Sequence, residues 1–325
     1  MTERTSLYQV AQFGVESTPG TGVATTKQLL SLQIDVDPQI EVSTYRPSGY
    51  AVPTVAALNK ESIEASISGP ITYTDIVYLL SSILKTGVVT GAGNAKTWTF
   101  EPTVNAANTP ITYTIEHGGG QRAHKFTYGL LRDLTLNFSR NECTLDGVFL
   151  GTSLSDNITM TAGNTAVALA PVLPTQVSVK LAASAAGLSG ASASTRVLSA
   201  SLAISNRYNL VWALNAANGS YVAHVDVEPT IELKLMMEAD AEGMALLTTL
   251  RAATTQFARV QAVGASISGG GNYTLTCDFA GKLSDASEFR DEDGVYAIEW
   301  TLKNAYDATW TKSLSVVVIN ELAAL

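Results

Sequence analysis

Residues 14–22 read GVESTPGTG, three glycines and a proline in nine positions. Glycine-rich turns can aim backbone N–H groups at a phosphate. This turn does not fit that chemistry. It has neither the G-x-x-x-x-G-K-[ST] nor the G-x-G-x-x-G order, and the first lysine after it is Lys27. Glu16 would repel a phosphate, and Pro19 removes one N–H donor. A second stretch, HGGGQRAHK (117–125), is similar to the oxyanion loop of some esterases, but that chemistry also needs a G-x-S-x-G elbow. The nearest match, GASIS (264–268), lacks the last glycine, so the stretch reads as a loop between strands. His117 and His124 form a candidate metal pair, yet the only other histidine is His224, and no cysteine pair or well-placed acid completes a set. In EFRDEDG (288–294), a calcium-loop register puts Phe289 first and Trp300 twelfth, where oxygen ligands are needed. It reads as a solvated loop. No enzyme, metal or cofactor is expected.

Composition points the same way. A net charge of −9 argues against a DNA reader, which needs a basic face. Charged residues make up only 15% of the chain, below the usual share of about 25%, which fits a large core or a surface hidden against partners. Cys143 and Cys277 are far apart and read as reduced and half-buried. The opening MTERTSLYQV has no apolar signal-peptide region, and no apolar run is long enough to span a membrane. A chain that folds in a cytoplasm is expected.

The elements that must carry these residues repeat. TTKQLLSLQIDV (25–36) aligns with ASTRVLSASLAI (193–204), with Leu30 on Leu198 at an offset of 168. ESIEASISGPITYTDIVYLLSSIL (61–84) aligns with EPTIELKLMMEADAEGMALLTTL (228–250), with Glu64 on Glu232 at the same offset. Further on the copies drift, and Tyr113-Thr-Ile meets Tyr273-Thr-Leu at 160. IEASI (63–67) alternates as a half-buried strand does. Ile76, Leu79, Leu80 and Ile83 then line one face of a helix capped near Thr74 or Asp75. In the second copy Asp240 is the cap, Met244, Leu247 and Leu250 line the helix, and Gly243 weakens its first turn. Hairpins are expected at LLRDLTLNF/CTLDGVFL and at VYAIEWTL/WTKSLSVVVI. The expected fold is mainly β (α+β). It consists of two tandem sandwich or barrel domains, 1–156 and 157–325, each with one flanking helix. ASAAGLSGASAS (183–194) reads as a flexible loop or as the second copy of ESTPGTGVATTK.

Gly14-x-Glu16-Ser-Thr-Pro19-Gly20-Thr followed by a strand with paired Leu29 and Leu30 resembles the start of major tail (tail tube) proteins of long-tailed, non-contractile bacteriophages. TYGLLRDLTLNF with its hairpin and DGVYAIEWTL are similar to that family as well. The resemblance implies β-sandwiches or barrels flanked by a helix, and sixfold rings stacked into a tube that DNA leaves through. The repeat fits a duplicated variant in which three chains make a pseudo-sixfold ring. Implied partners are copies of the chain itself, tape-measure and other tail proteins, and DNA passing without specific binding. The implied place is the virion tail, after synthesis in the cytoplasm of the bacterial host.

Two aromatic segments are candidate contacts between subunits or rings. EVSTYRPSGYAVPTVAALNK (41–60) carries Tyr45, Pro47, Tyr50 and Pro53, and its counterpart RYNLVWALNAANGSYVAHVDV (207–227) carries Tyr208, Trp212 and Tyr221. Aromatic residues are enriched at interface cores. An ordinary exposed hairpin is the alternative for the first segment. The segment of Gly14, Glu16, Pro19 and Gly20 reads as a turn, with a possible subunit-linking role, that leads into the first tube strand. A soluble β-sandwich binding or adhesin module, or a head-decoration protein, could share this composition.

Overall fold

A computed structural model describes residues 8–214 and 219–325. Most of the polar start read above (1–7) and the tip of the 207–227 segment (215–218) lie outside the described residues.

The chain is mainly β. The first elements are β1 (Val10–Val15), β2 (Lys27–Leu29), β3 (Gln33–Tyr45), β4 (Val55–Pro70), α1 (Ile76–Ile83), β5 (Val88–Thr90) and β6 (Lys96–Phe100). Then come β7 (Tyr113–Gly118), β8 (Ala123–Ser139), β9 (Cys143–Gly151), β10 (Ser155–Asp156) and β11 (Thr165–Ala166). The later elements are β12 (Val177–Ala182), α2 (Gly187–Gly190), β13 (Val197–Ser205), β14 (Tyr208–Val211), β15 (Ala223–Asp226), β16 (Thr230–Glu238) and α3 (Ala241–Ala252). The last are β17 (Thr255–Ser266), β18 (Asn272–Ala286), β19 (Arg290–Glu292), β20 (Val295–Asn304) and β21 (Leu314–Asn320).

In the first half the antiparallel order is β1–β7–β8–β9–β4–β3. In the second half it is β12–β17–β18–β20–β16–β13. The long strands β8 and β18 each serve two layers. β8 pairs with β7 up to Gly129 and with β9 from Leu130, with a bulge just past the changeover at Leu131/Asp133. β18 pairs with β17 up to Lys282 and with β20 from Gly281, with a bulge just beyond at Leu283/Asp285. Bulges bend a strand, which lets one strand turn the corner between layers. Side chains alternate accordingly. Ile34, Ile67, Leu134, Leu136 and Phe149 point inward, and Phe13 lies 5.8 Å from Phe149 between the layers.

The halves are joined by strand pairing. β13 lies antiparallel on the later part of β8, with Leu202 opposite Leu136 and Ile204 opposite Leu134. β6 of the first half pairs with β21. Tyr113 sits in β7 and Tyr273 in β18, strands in different places in the two orders, so the 160 offset matches unlike strands. The cause is the β5–β6 stretch with its following loop, residues 84–112. The second half has only two residues between α3 and β17.

Asp240 caps α3 by accepting from the Gly243 N–H at 2.9 Å. Gly243 is more than a weak helix former. A Cβ there would lie 2.0 Å from the Glu238 carbonyl oxygen. Gly243→Ala is therefore expected to lower stability by about 1–3 kcal/mol in a urea titration, although helix propensity alone predicts a gain of about 1 kcal/mol.

Asp75 is the N-cap of α1, but its buried carboxylate turns away from the helix. Its Oδ2 accepts from the Ser31 N–H at 3.1 Å and the Ser31 hydroxyl at 2.5 Å. Burial pushes this carboxyl above its ordinary range, against the opposing effect of the Ser31 bonds. A raised folded-state pKa means that the fold favours the neutral acid. Its contribution to stability is complete below the ordinary carboxylate range and falls as pH rises through the folded value. Asp75→Asn is expected to remove this fall, seen as a flatter plot of urea midpoint against pH above about pH 4.

Candidate functional site

The stretches that looked chemical are structural. HGGG is the turn of the β7–β8 hairpin, with the Gly119 N–H donating to the Arg122 carbonyl at 3.1 Å. His117 and His124 face each other across that hairpin. Burial lowers the His117 pKa, and His124 beside it lowers it further. Among the described residues, no group of three or more His, Cys, Asp or Glu is placed to hold a metal ion. EFRDEDG is not a loop throughout. Arg290–Glu292 form β19, and Asp293 and Gly294, both with positive φ, turn the chain into β20. Burial pushes the Cys143 thiol up to about 11 and the Cys277 thiol to about 12, so both stay protonated at neutral pH.

GVESTPGTG is built around Glu16, which is only 7% exposed. Its Oε2 accepts from the Gly20 N–H at 2.8 Å and the Thr112 hydroxyl at 2.9 Å. Its Oε1 accepts from the Tyr128 N–H at 2.9 Å and the Thr114 hydroxyl at 3.0 Å. The residue that repels a phosphate is the residue that folds the loop. Gly20 has φ +80, and a Cβ there would lie 2.9 Å from the Tyr128 ring, so only glycine fits. Gly14 also approaches closely, with a Cβ position 2.7 Å from the Ala24 carbonyl. Pro19 is exposed in the turn. ASAAGLSGASAS is not a loop throughout either. It holds α2, whose Leu188 is buried with Phe257 and Ala280.

The aromatic candidates divide into two sets. Tyr45, Pro47, Tyr50 and Pro53 sit exposed at the tip of the β3–β4 hairpin. Tyr208 and Tyr221 are instead buried within the chain, at 1% and 3% exposure. The Tyr208 hydroxyl donates to the Ser82 and Ile83 carbonyls at the end of α1. The Tyr221 hydroxyl donates to the Tyr128 carbonyl at 2.8 Å. Trp212 lies under the Lys60 ammonium, 5.0 Å from the ring centroid. The β14–β15 hairpin therefore folds back on the first half.

One sheet of the fold has two open ends. Its strands run β3–β4–β9–β8–β13–β16–β20 and end on β18 and β19. β3 pairs only with β4, and β18 beyond Lys282 and β19 pair only with β20 among the described residues. The face away from the core is polar, carrying Asp35, Asp37, Glu64, Asp133 and Asp146 beside Ser66, Ser68, Thr135 and Asn137, with Arg132 paired to Glu64 and Asp133. Lys234 and Lys303 lie on it too, near Glu299 and Glu232. Unpaired edges are templates for another chain, and soluble proteins usually blunt them. Sequence reading missed both edges. The signal was the alternation of Ile34, Val36, Ile40 and Val42, which runs on past the core.

The sequence profile of the family described as phage tail tube protein matches residues 9–307, nearly the whole chain. The chain belongs to the phage tail tube protein family. It is thus a structural protein of the virion tail, and the mainly β fold agrees with that membership. No curated protein matches it. Among the described residues of this tube-family chain, no helix is long and apolar enough to cross a membrane.

Proposed function

We propose that the chain assembles with copies of itself into closed rings that stack head to tail as the tail tube, a passive conduit for DNA. The observation that carries this reading is the sheet open at both ends, one end with β3 and the other with β18 and β19. Closing such a sheet through neighbouring copies removes every edge. Family membership supplies the setting. The polar sheet face, with Asp35, Asp37, Asp133 and Asp146, is assigned to the lumen. Acidic and small side chains there do not hold phosphates, as a basic lining would.

The two halves, 1–156 and 157–325, are read as copies of one tube domain, supported by their shared strand order. On that reading three chains close a ring with pseudo-sixfold symmetry. The tube protein has no catalytic role, and tape-measure and other tail proteins are its further partners. The hairpin tip with Tyr45, Pro47, Tyr50 and Pro53 docks on a neighbouring subunit or ring.

Negative-stain microscopy of the purified protein tests this: tubes are expected, and a chain that stays monomeric under tail-assembly conditions defeats it. Six chains per ring by native mass spectrometry would remove the trimeric count and leave the tube. Deleting residues 44–52 is expected to abolish stacking, and normal tubes from that deletion would refute the role of the tip.

A further inference from the structure

Beside the β6–β21 pairing, the halves of this chain meet through two contacts that each leave a matching pair of surfaces bare elsewhere. In the first contact, β13 adds to the outer edge of β8 over Leu134–Ser139. The strand that holds the place of β13 in the first half is β3, whose outer edge is open. The stretch that holds the place of the β8 edge is the end of β18 with β19, open on the side away from β20. In the second contact, the β14–β15 hairpin lies over the end of α1, with Tyr208 bonded to the Ser82 and Ile83 carbonyls. The counterpart hairpin is the outer part of β3–β4. Its core-side face continues into solvent, with Ile40 at 57% and Val42 at 54% exposure, beside exposed Leu58. The counterpart helix is α3. Every residue of α1 is buried, whereas α3 leaves Ala241, Ala245, Thr248 and Ala252 exposed along one side.

We infer that the junction between chains repeats the junction between halves. The β3 edge of one copy pairs antiparallel with β18–β19 of the next. The Ile40–Val42 face of the same hairpin covers the C-terminal end of α3 on that next copy. This rests on the ring assembly proposed above and names its lateral contact. Phe289 and Tyr296 support it. They stack 4.8 Å apart at the open edge of β19–β20, and both are exposed in the single chain. Neighbouring strands would cover them, as β13 covers the edge beside Leu136 and Phe138. The contact joins two different surfaces, so it is heterologous and propagates until a ring closes. Edge pairing supplies backbone hydrogen bonds, and the apolar hairpin face selects the partner.

The test uses two double variants of the full chain. Ile40→Asp with Val42→Asp spoils the hairpin face, and Thr248→Glu with Ala252→Glu spoils the α3 face. Each alone is expected to melt near the wild type but to stay monomeric by analytical ultracentrifugation, where the wild type forms rings. A one-to-one mixture restores one good junction and is expected to give dimers, not rings. A chain carrying both Ile40→Cys and Ala252→Cys is expected to yield a covalent ladder on mild oxidation of its rings, while each single cysteine variant yields none. Rings from both charge variants, or no ladder from assembled cysteine rings, would overturn the junction while the ring reading stands. A wild type that never assembles defeats the ring reading and the junction with it.

Discussion

Replacing Glu16 with alanine is expected to lower the free energy of unfolding by about 3–4 kcal/mol, read as a drop in urea midpoint at unchanged slope. Four donors converge on this carboxylate: the N–H groups of Gly20 and Tyr128 and the hydroxyls of Thr112 and Thr114. An unsatisfied buried donor costs about 1–3 kcal/mol. Water entering the space left by the side chain recovers part of that cost, so the sum falls short of four full penalties. Glu16→Gln keeps one acceptor oxygen but turns an NH2 group toward two of the donors, so it is expected to fall between the wild type and alanine. Pro19→Ala, in the exposed turn of the same loop, is expected to cost less than about 1 kcal/mol. An equal loss from Pro19→Ala and Glu16→Ala would mean that the turn, not the carboxylate, holds the segment.

Tyr208→Ala is expected to destabilise by about 3–5 kcal/mol, the range for removing a large buried aromatic side chain. It empties the space over the end of α1 and leaves the Ser82 and Ile83 carbonyls without their shared donor. It also loosens the β14–β15 hairpin, whose His224 ring stands 5.2 Å from the Tyr208 ring. Tyr45→Ala and Tyr50→Ala, at the exposed tip of the other hairpin, are expected to change stability by less than about 0.5 kcal/mol. On the docking role proposed for the tip, their effect is expected in assembly, read as shorter or absent tubes by microscopy at unchanged melting temperature. Loss of stability in both sets would mean that the β3–β4 tip is packed within its own chain.

Local pattern carried far in this chain because its strands are half-buried and alternate cleanly. IEASI sits in β4, the apolar face of Ile76, Leu79, Leu80 and Ile83 became α1, and Asp240 caps α3. The β8–β9 hairpin beside Ser139–Glu142 was legible from its turn residues, whereas the hairpin expected between VYAIEWTL and WTKSLSVVVI does not form: β20 pairs with β16, β18 and β19, and β21 pairs with β18 and β6. Long-range partners were not. Nothing in the alternation of Leu134 and Leu136 says that β13, rather than another chain, lies beside them. The two aromatic segments look equivalent in sequence, yet one is folded inward and the other stands out. That difference depends on which neighbour each meets, a property of topology and not of composition. Glu16 was read correctly as hostile to phosphate. Its partners Thr112, Thr114 and Tyr128 are about a hundred residues away and carry no local signature.

The pairing of β6 with β21 sets an order of events during synthesis. Val316 lies opposite Phe100, the Trp98 indole donates to the Leu322 carbonyl, and Asn320 donates to the Tyr73 carbonyl. The first half thus stays incomplete until the ribosome has made residue 320. Contacts this distant in sequence are slow to form, because loop closure must precede their reward. The open edge at β18–β19 is backed by β20 and matures in the same late window. A nascent chain therefore presents its β3 edge long before its own β18–β19 edge is finished.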